Sequence, residues 1–337
     1  MHMKPLASSN WSRRRLLRTA FCSSTLLGLN IGRGIVNAAE AGADGDAHWL
    51  ALGDFGSMEP AQEAVAKGMR KYVADLKLTS DGLLLLGDNF YKPMPGGLKA
   101  PRWKSGFEDM YPVSSFPGPC PAVLGNHDYH DNRGGELVQM AYSKQGGTRW
   151  TMPSKWYRMD FPLVTFLFID TNLRAVSGTK DEKSGLARPS LTEREEKEQI
   201  AWLKVELAKP RSPWTICVGH HPVYSNGGAH GDTKSLVADL APLLQKHGVQ
   251  IYLCGHDHDM QHLELEGQTT SFVVSGGGGA RIRPTKNLPR GPFSKDLYGF
   301  THLQIGKDRI IARHVDPNGK QIHAFEKAPD GGFKVLG

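Results

Sequence analysis

Several features are scarce or absent in this 337-residue sequence, and each absence excludes a class of protein. It has four cysteines, whose spacing fits neither a disulfide framework nor a tetrahedral cysteine zinc site. It contains no Walker sequence and no GxGxxG loop. No repeat, low-complexity tract or long linker interrupts residues 39–337. These residues are therefore predicted to form a single domain, long enough to bury a sizeable core.

The excess of positive charge is confined to the first 38 residues. They contain no Asp or Glu and six cations, which are Lys4, Arg13, Arg14, Arg15, Arg18 and Arg33. The rest of the chain has 35 Lys and Arg against 34 Asp and Glu. A nearly balanced body gives no indication of nucleic-acid binding.

The same 38 residues are typical of an export signal. The segment SRRRLLR is followed by a modestly apolar stretch and by VNA, a small-residue cleavage site ending at Ala38. The paired arginines resemble the twin-arginine signal of bacteria, which predicts export by that machinery to the periplasm or beyond. A general secretory signal or a disordered basic leader remains an alternative. The apolar stretch is too short and too polar for a membrane span, so no stable membrane anchor is expected.

Five short apolar runs each end in a glycine that is followed by a polar side chain. The runs are HWLAL, GLLLL, CPAVL, WTICV and IYLC, and they predict strands buried on both faces. The residues after the glycines are Asp54, Asp88, Asn126 with His127, His220 with His221, and His256 with His258. Sites in open α/β sheets form beyond the carboxyl ends of strands, so we expect these side chains to converge.

Helical patterns lie between several of these runs. Residues 59–78 and 192–208 place apolar side chains on one face, and Thr192 with Glu195 predicts a capping box. Residues 235–247 predict a third helix, in which Pro242 introduces a kink. The alternation indicates an α/β fold. The last third, with SFVV, THLQI, RIIARHV and QIHAF, predicts antiparallel hairpins instead.

Each of the five polar segments taken alone has an ordinary structural explanation. A Gly-Asp pair after a strand is usually a turn, GNHD also fits a turn, and a lone histidine is more often a core or surface residue than a ligand. Turns do not favour histidine, so the five together indicate a metal site. Oxygen and imidazole donors without thiolate favour iron, manganese or zinc. The donors are too many for one ion and suit two, which can clamp a phosphate for hydrolysis.

The ordered series GDFG, GDNFY, GNHD, GHHP and GHDH resembles the metallophosphoesterase superfamily, and specifically the small, tartrate-resistant purple acid phosphatases. The connecting segments FEDMYP, FIDTN, QIAWLKVEL, VVSGGGG and GFTHLQI also resemble that family. The resemblance covers nearly all of residues 48–325. It implies a four-layer α/β/β/α sandwich of two mixed sheets, with a centre of two metal ions at one edge.

The resemblance also implies which residues bind the two ions. A ferric ion would be bound by Asp54, Asp88, Tyr91 and His258. Asp88 would bridge to a divalent ion of iron, zinc or manganese, completed by Asn126, His220 and His256. A metal-bound hydroxide would then attack the phosphorus in line.

Three further histidines receive roles from the same resemblance. His127 would face the phosphate and protonate the leaving alkoxide. His230, in SNGGAHGDT, resembles a second histidine that faces the substrate, although the loop before it is one residue longer here. His221 stands where the family often has another aromatic residue. We therefore interpret it as supporting the ligands rather than binding a metal.

The implied function is an exported acid phosphatase that hydrolyses small phosphomonoesters. Activity at acid pH is expected because a ferric ion acidifies its water more strongly than zinc, which gives a pKa of about 7. One alternative is a phosphodiesterase or other metallophosphoesterase without a ferric–tyrosinate pair; Tyr91 disfavours it, because the wider superfamily generally lacks a tyrosine there. A binding protein on a degenerate phosphatase scaffold is disfavoured because all seven ligand positions are filled.

Two segments have open interpretations. Residues 176–189 are charged and lack periodicity, which fits either a mobile loop over the cleft or a solvated connection. A later cluster of cations either steers phosphate or belongs to an ordinary solvated loop. That cluster is Arg281, Arg283, Lys286, Arg290 and Lys295.

Overall fold

Two mixed β-sheets flanked by helices are seen in the computed structural model, which describes residues 45–178, 188–286 and 288–336. The strands are β1 (Ala47–Leu52), β2 (Gly82–Leu85), β3 (Cys120–Pro121), β4 (Trp150–Thr151), β5 (Tyr157–Asp160), β6 (Val164–Phe168), β7 (Trp214–Val218), β8 (Ile251–Cys254), β9 (Met260–Leu263), β10 (Ser271–Ser275), β11 (Phe293–Lys295), β12 (Phe300–Ile305), β13 (Ile310–Val315), β14 (Gln321–Lys327) and β15 (Phe333–Leu336). The α-helices are α1 (Pro60–Asp75), α2 (Asn126–His130), α3 (Gly135–Tyr142), α4 (Arg174–Ser177), α5 (Glu193–Ala208), α6 (Lys234–Asp239) and α7 (Ala241–Lys246).

Two of the sequence predictions fall on other parts of the chain. The export signal at residues 1–38 lies outside the described residues, and so do residues 179–187 of the segment 176–189. Both stay predictions. Within the described ranges, no helix combines the length and the apolar character needed to cross a membrane.

The first sheet has the strand order β15-β14-β13-β12-β1-β2. β1 is parallel to β2 and antiparallel to β12, whereas β12 to β15 form the antiparallel succession predicted for the end of the sequence. The run CPAVL forms only the short strand β3, yet it stays beside β2. The Val123 N–H donates to the Leu85 carbonyl at 2.9 Å, and Leu85 bridges Ala122. This run therefore delivers its polar end to the same edge as β2.

The second sheet has the order β11-β9-β10-β8-β7-β6-β5. β6, β7, β8 and β10 are parallel to one another, and β5, β9 and β11 run against their neighbours. The run SFVV is β10, which the sequence assigned to antiparallel hairpins. β10 lies between β8 and β9. The prediction is correct for β9, which is antiparallel to β10, and wrong for β8, which is parallel to it.

The core explains why the central runs are apolar throughout. In β7, Ile216 and Val218 belong to a cluster that contains residues of both sheets, whereas Cys217 belongs to a second cluster with Leu203 and Leu207 of α5. Alternate side chains of a strand point to opposite faces, so both faces of this sheet are covered. Helix α1 packs residues such as Met69 against the first sheet. The layers are therefore helix, sheet, sheet and helix, as the resemblance implied.

The three predicted helices are present with small corrections. Helix α5 begins after the predicted capping box, in which Thr192 Oγ1 accepts from the Glu195 N–H at 3.2 Å and the Thr192 N–H donates to Glu195 Oε2 at 2.8 Å. The third predicted helix is two helices, α6 and α7, joined at Leu240. Pro242 lies in the first turn of α7, where its missing N–H costs no helical hydrogen bond. The proline therefore starts a new helix rather than kinking one.

Candidate metal centre

Close packing of two glycines joins the edges of the two sheets. Gly53 follows β1 and Gly255 follows β8, and a Cβ on Gly53 would lie 3.0 Å from the Gly255 Cα. A Cβ on Gly255 would lie 2.5 Å from the Asp54 carboxylate. Residues larger than glycine would thus separate the two strand ends. The approach places the loop after β1 directly against the loop after β8.

Three site residues have backbone conformations that non-glycine residues rarely adopt. The φ angles are 58° at Asp54, 50° at Asp88 and 69° at His256. Such conformations cost of order 1–3 kcal/mol each and persist where the surroundings hold them. A glycine directly precedes each of these residues shortly after the end of a strand, and the left-handed turn directs its side chain across the edge of the sheet.

The first group of donors surrounds Tyr91. The Tyr91 hydroxyl lies 3.2 Å from Asp54 Oδ1 and 3.2 Å from His258 Nε2, and these two atoms are 3.4 Å apart. Asp88 completes the group, because its carboxylate has an oxygen within 4.8 Å of donor atoms of Asp54 and His258. The structure thus brings together the four residues predicted for the first ion.

The second group of donors surrounds His220. Its Nε2 lies 3.2 Å from Asn126 Oδ1, 3.3 Å from His256 Nδ1 and 3.5 Å from Asp88 Oδ1. These are the four residues predicted for the second ion. Asp88 belongs to both groups, which is the position required of a carboxylate shared by two ions.

The donor spacing and the charge both fit bound metal ions. Donor atoms about 2.1 Å from a common ion lie about 3.0–3.4 Å apart in octahedral or tetrahedral arrangements, close to the distances seen here. Asp54 and Asp88 are buried, and within the described ranges neither carboxylate forms an ion pair with a lysine or arginine. Buried carboxylates require a compensating cation. Burial, with Asp88 and Asp54 alongside, also raises the pKa of Tyr91 well above its usual value, so a phenolate there needs a cation too.

Hydrogen bonds behind the ligands select the nitrogen that faces each group. His220 Nδ1 donates to the Leu86 carbonyl at 2.8 Å, and His258 Nδ1 donates to the Arg281 carbonyl at 2.7 Å. A carbonyl only accepts, so these nitrogens carry the protons. The Nε2 lone pairs of both rings are then available to a metal, as is usual for metal-binding histidines.

Asp128 is a structural residue of the site that could not be recognised from the sequence pattern. Its buried carboxylate accepts the backbone N–H groups of Asn89 (3.1 Å), Phe90 (3.1 Å) and Gly125 (2.8 Å), and the side-chain amide of Gln139 (2.8 Å). It therefore fixes the loop after β2 to the loop after β3. In the sequence it is the last residue of GNHD, to which the resemblance assigned no role.

Thr171 is a second structural residue of the site that the sequence pattern did not indicate. Its Oγ1 accepts the backbone N–H groups of His220 at 3.2 Å and His221 at 2.9 Å. The same oxygen lies 2.9 Å from His221 Nδ1. This hydroxyl, from the segment FIDTN, therefore orients the loop after β7. His221 itself is buried, and its ring has a donor atom within 4.8 Å of donor atoms of His220 and His256.

The two other predicted histidines lie on the open side of the donors. The ring of His127 is 4.4 Å from the Tyr91 ring between centroids, and its Nδ1 lies 3.0 Å from Asp131 Oδ2. The ring of His230 is 4.2 Å from the His256 ring, and His230 Nε2 contacts the guanidinium of Arg283. The side chain of His127 is 32% exposed, and His230 is exposed as well. Both therefore border the donors on the side that a substrate can reach.

Comparisons with known proteins agree on one family. The family model for the calcineurin-like phosphoesterase matches residues 45–260. The tartrate-resistant acid phosphatase type 5 of Mus musculus is 32% identical over 304 residues, covering 81% of this chain and 88% of that protein. Purple acid phosphatase 7 of Arabidopsis thaliana is 30% identical over 292 residues, covering 83% and 86%.

Two solved structures show the same fold. GAP50 of Plasmodium, described as the anchor in the inner membrane complex, has a TM-score of 0.70 at 24% identity and covers 83% of this chain and 88% of that one. The purple acid phosphatase PPD1 from yellow lupin seeds has a TM-score of 0.63 at 20% identity and covers 85% and 54%. At these identities the likeness concerns the fold alone.

Proposed function

The chain belongs to the calcineurin-like phosphoesterase family and, within it, to the tartrate-resistant acid phosphatases, and from this we propose the role of each site residue in an acid phosphatase. It hydrolyses phosphomonoesters at a centre of two metal ions. Asp54, Asp88, Tyr91 and His258 would hold a ferric ion, and a divalent ion of iron, zinc or manganese would be held by Asp88, Asn126, His220 and His256. The observation that carries the proposal is the pair of donor groups sharing Asp88.

The two ions would polarise the phosphate ester and lower the pKa of water. The protein's own contribution begins with the buried Asp88. Its carboxylate accepts the backbone N–H of His127 at 2.8 Å and is thereby fixed between the two donor groups. His220 and His258 are held in one tautomer by the carbonyls behind them. These contacts hold the donor atoms in position before the substrate binds, so binding requires little reorganisation of the site.

His127 delivers the proton to the leaving oxygen. Asp131 holds its Nδ1 at 3.0 Å, which leaves Nε2 to carry the transferable proton. Its position beside Tyr91, next to the donors, and its partial exposure support this role. His230, beside His256 and in contact with Arg283, binds the substrate on the other side of the site.

The ferric–tyrosinate pair is tested by the optical spectrum and metal content of the purified protein beside those of Tyr91→Phe. We expect a violet charge-transfer band and two ions per chain in the parent, and loss of the band in the variant. Tyr142→Phe is the matched control, because Tyr142 stacks on Trp103 outside the donor groups. A colourless parent that contains iron refutes the pair and favours another metallophosphoesterase, such as a phosphodiesterase. Less than one ion per chain refutes the metal centre itself.

The export of the enzyme is part of the proposal. Residues 1–38 are a twin-arginine-type signal, and residues 39–337 are the single catalytic domain released to the periplasm or the medium. Replacing both Arg13 and Arg14 with lysine is expected to retain the protein in the cytoplasm of a bacterial host, whereas Arg18→Lys leaves export intact. Export of the double variant at the parental level would refute the twin-arginine signal and favour a general secretory one.

A further inference from the structure

A cavity of about 550 Å³ opens beside His230. Its lining includes residues of three segments: Ser225 and His230 from the loop after β7, Lys234 and Val237 of α6, and Lys286 and Leu288 before β11. The volume is that of an ordinary small-molecule site. Because the His230 ring is only 4.2 Å from the His256 ring, the cavity adjoins the second donor group.

The charges of the cavity are not balanced. Among the described residues, one carboxylate lines the cavity: Asp232, which is engaged by Arg290 at 2.7 Å. Lys234 and Lys286 are exposed, and neither has a carboxylate partner in the parts of the chain that the structure describes. Three cationic side chains thus surround one carboxylate, and two of the cations remain available to a ligand. Part of the cationic cluster noted in the sequence is therefore placed at a defined cavity.

The cavity also has an apolar wall. Val237 and Ala238 come from α6, and Leu288 faces them from the segment before β11. Leu288 is 38% exposed, so its side chain offers apolar surface to a ligand. An inorganic phosphate has no group that could use this wall. A ligand that fills the cavity needs an apolar body and a negative charge that can reach the lysines.

We propose that this cavity binds the leaving group of the substrate, and that it favours phosphomonoesters whose alcohol has an apolar body and a second anionic group. The inference rests on the proposed function, since it places the scissile phosphate at the two donor groups. In the reaction, water replaces the alkoxide at phosphorus, and the leaving oxygen receives a proton. The ester oxygen stays at the donor groups, where His127 protonates it, while the body of the alcohol extends past His230 into the cavity. Lys234 and Lys286 are specificity residues and take no part in bond cleavage.

The test compares two substrates that differ in one charge, phenyl phosphate and 4-carboxyphenyl phosphate. The quantity measured is the ratio of kcat/KM for the carboxylated ester to that for phenyl phosphate. This ratio is expected to fall about fivefold in Lys234→Gln/Lys286→Gln, since each exposed charge contact contributes modestly. The loss should lie in KM, and the parental ratio should decline at high ionic strength. Differences in leaving-group chemistry are the same in parent and variant and cancel.

Lys246→Gln is the matched control, because Lys246 is an exposed lysine at the end of α7 that does not line the cavity. We expect it to keep the parental ratio. An equal effect of the double variant on both substrates, or a ratio unchanged by it, overturns the subsite while leaving the phosphatase assignment intact. A metal-loaded parent that hydrolyses neither ester overturns the proposed function instead.

Discussion

Replacing the buried His314 is expected to weaken the dependence of stability on pH. His314 lies on β13 and is 2% exposed. Its Nε2 donates to the Gln261 carbonyl of β9 at 3.1 Å, and its Nδ1 lies 3.0 Å from Thr301 Oγ1. This neutral imidazole links the two sheets. Burial, with a smaller contribution from His323, lowers its pKa from 6.5 to about 3.

The magnitude follows from the lowered pKa. As the pH falls through 6.5 the unfolded chain binds a proton at His314, but the folded chain does not until the pH approaches 3. Stability is therefore lost between these values and is fully present above the upper one. At pH 5 the loss is about 2 kcal/mol, against about 0.2 kcal/mol at pH 7. The loss of stability at pH 5 is set by the pKa of His314 in the unfolded chain, because any pKa below about 4 in the folded chain gives the same loss.

The assay is equilibrium urea unfolding of the parent and His314→Gln at pH 5, 7 and 8. Glutamine keeps an amide N–H for the Gln261 carbonyl but has no proton to gain. The drop in the free energy of unfolding from pH 7 to 5 should be about 2 kcal/mol smaller in the variant. Between pH 8 and 7 the two proteins should change in parallel, which is the internal control. An identical loss in both proteins between pH 7 and 5 would show that His314 is protonated in the folded state.

Three further substitutions test how the loops hold the donors. Gly125→Ala places a Cβ 2.2 Å from Asp88 N and Oδ1, so we expect loss of bound metal and a fall in activity of about a hundredfold or more, whereas Gly146→Ala, with nothing within 4 Å, retains both. Asp128→Asn removes an acceptor shared by several buried N–H groups and should lower the free energy of unfolding by about 3 kcal/mol in urea titrations; an unchanged midpoint would contradict this. Arg102 donates to the carbonyls of Tyr91 at 2.5 Å and Gly56 at 2.7 Å. Arg102→Lys keeps at most one of these bonds, so metal loss to a chelator should be about tenfold faster, and an unchanged rate would refute the role.

The strands that carry the site could be predicted from sequence because they are buried on both faces. Each run of β1, β2, β7 and β8 is apolar at successive positions, since one face meets the other sheet and the opposite face meets helices or strands. The glycine after each run marks the point at which the chain turns out of the sheet. The polar residues after those glycines were therefore correctly placed at one edge. Their individual roles as ligands remain proposals.

The contacts that hold the donors in place could not be predicted in the same way. Asp128 binds N–H groups of a loop 35 or more positions earlier, and Thr171 binds those of a loop about 50 positions later. Nothing in the local pattern of GNHD or FIDTN says which distant N–H groups will face them, because that depends on how neighbouring strands are ordered. The order β8-β7-β6 puts Thr171, after β6, beside the loop after β7. A hydroxyl at the end of one strand then orients the histidines at the end of the next.

The same dependence on strand order explains the cavity beside His230. Lys234 and Lys286 are separated by some fifty positions and belong to segments with no shared pattern, so the cluster of cations noted in the sequence included Lys286 but not Lys234. The bridge between Gly227 and Thr285 brings the two segments together. Lys286, which the sequence also allowed to belong to an ordinary solvated loop, then lies with Lys234 at the cavity beside His230. The proposed selectivity among phosphoesters thus depends on the pairing of two loops, whereas the proposed metal centre depends on the ends of the central strands.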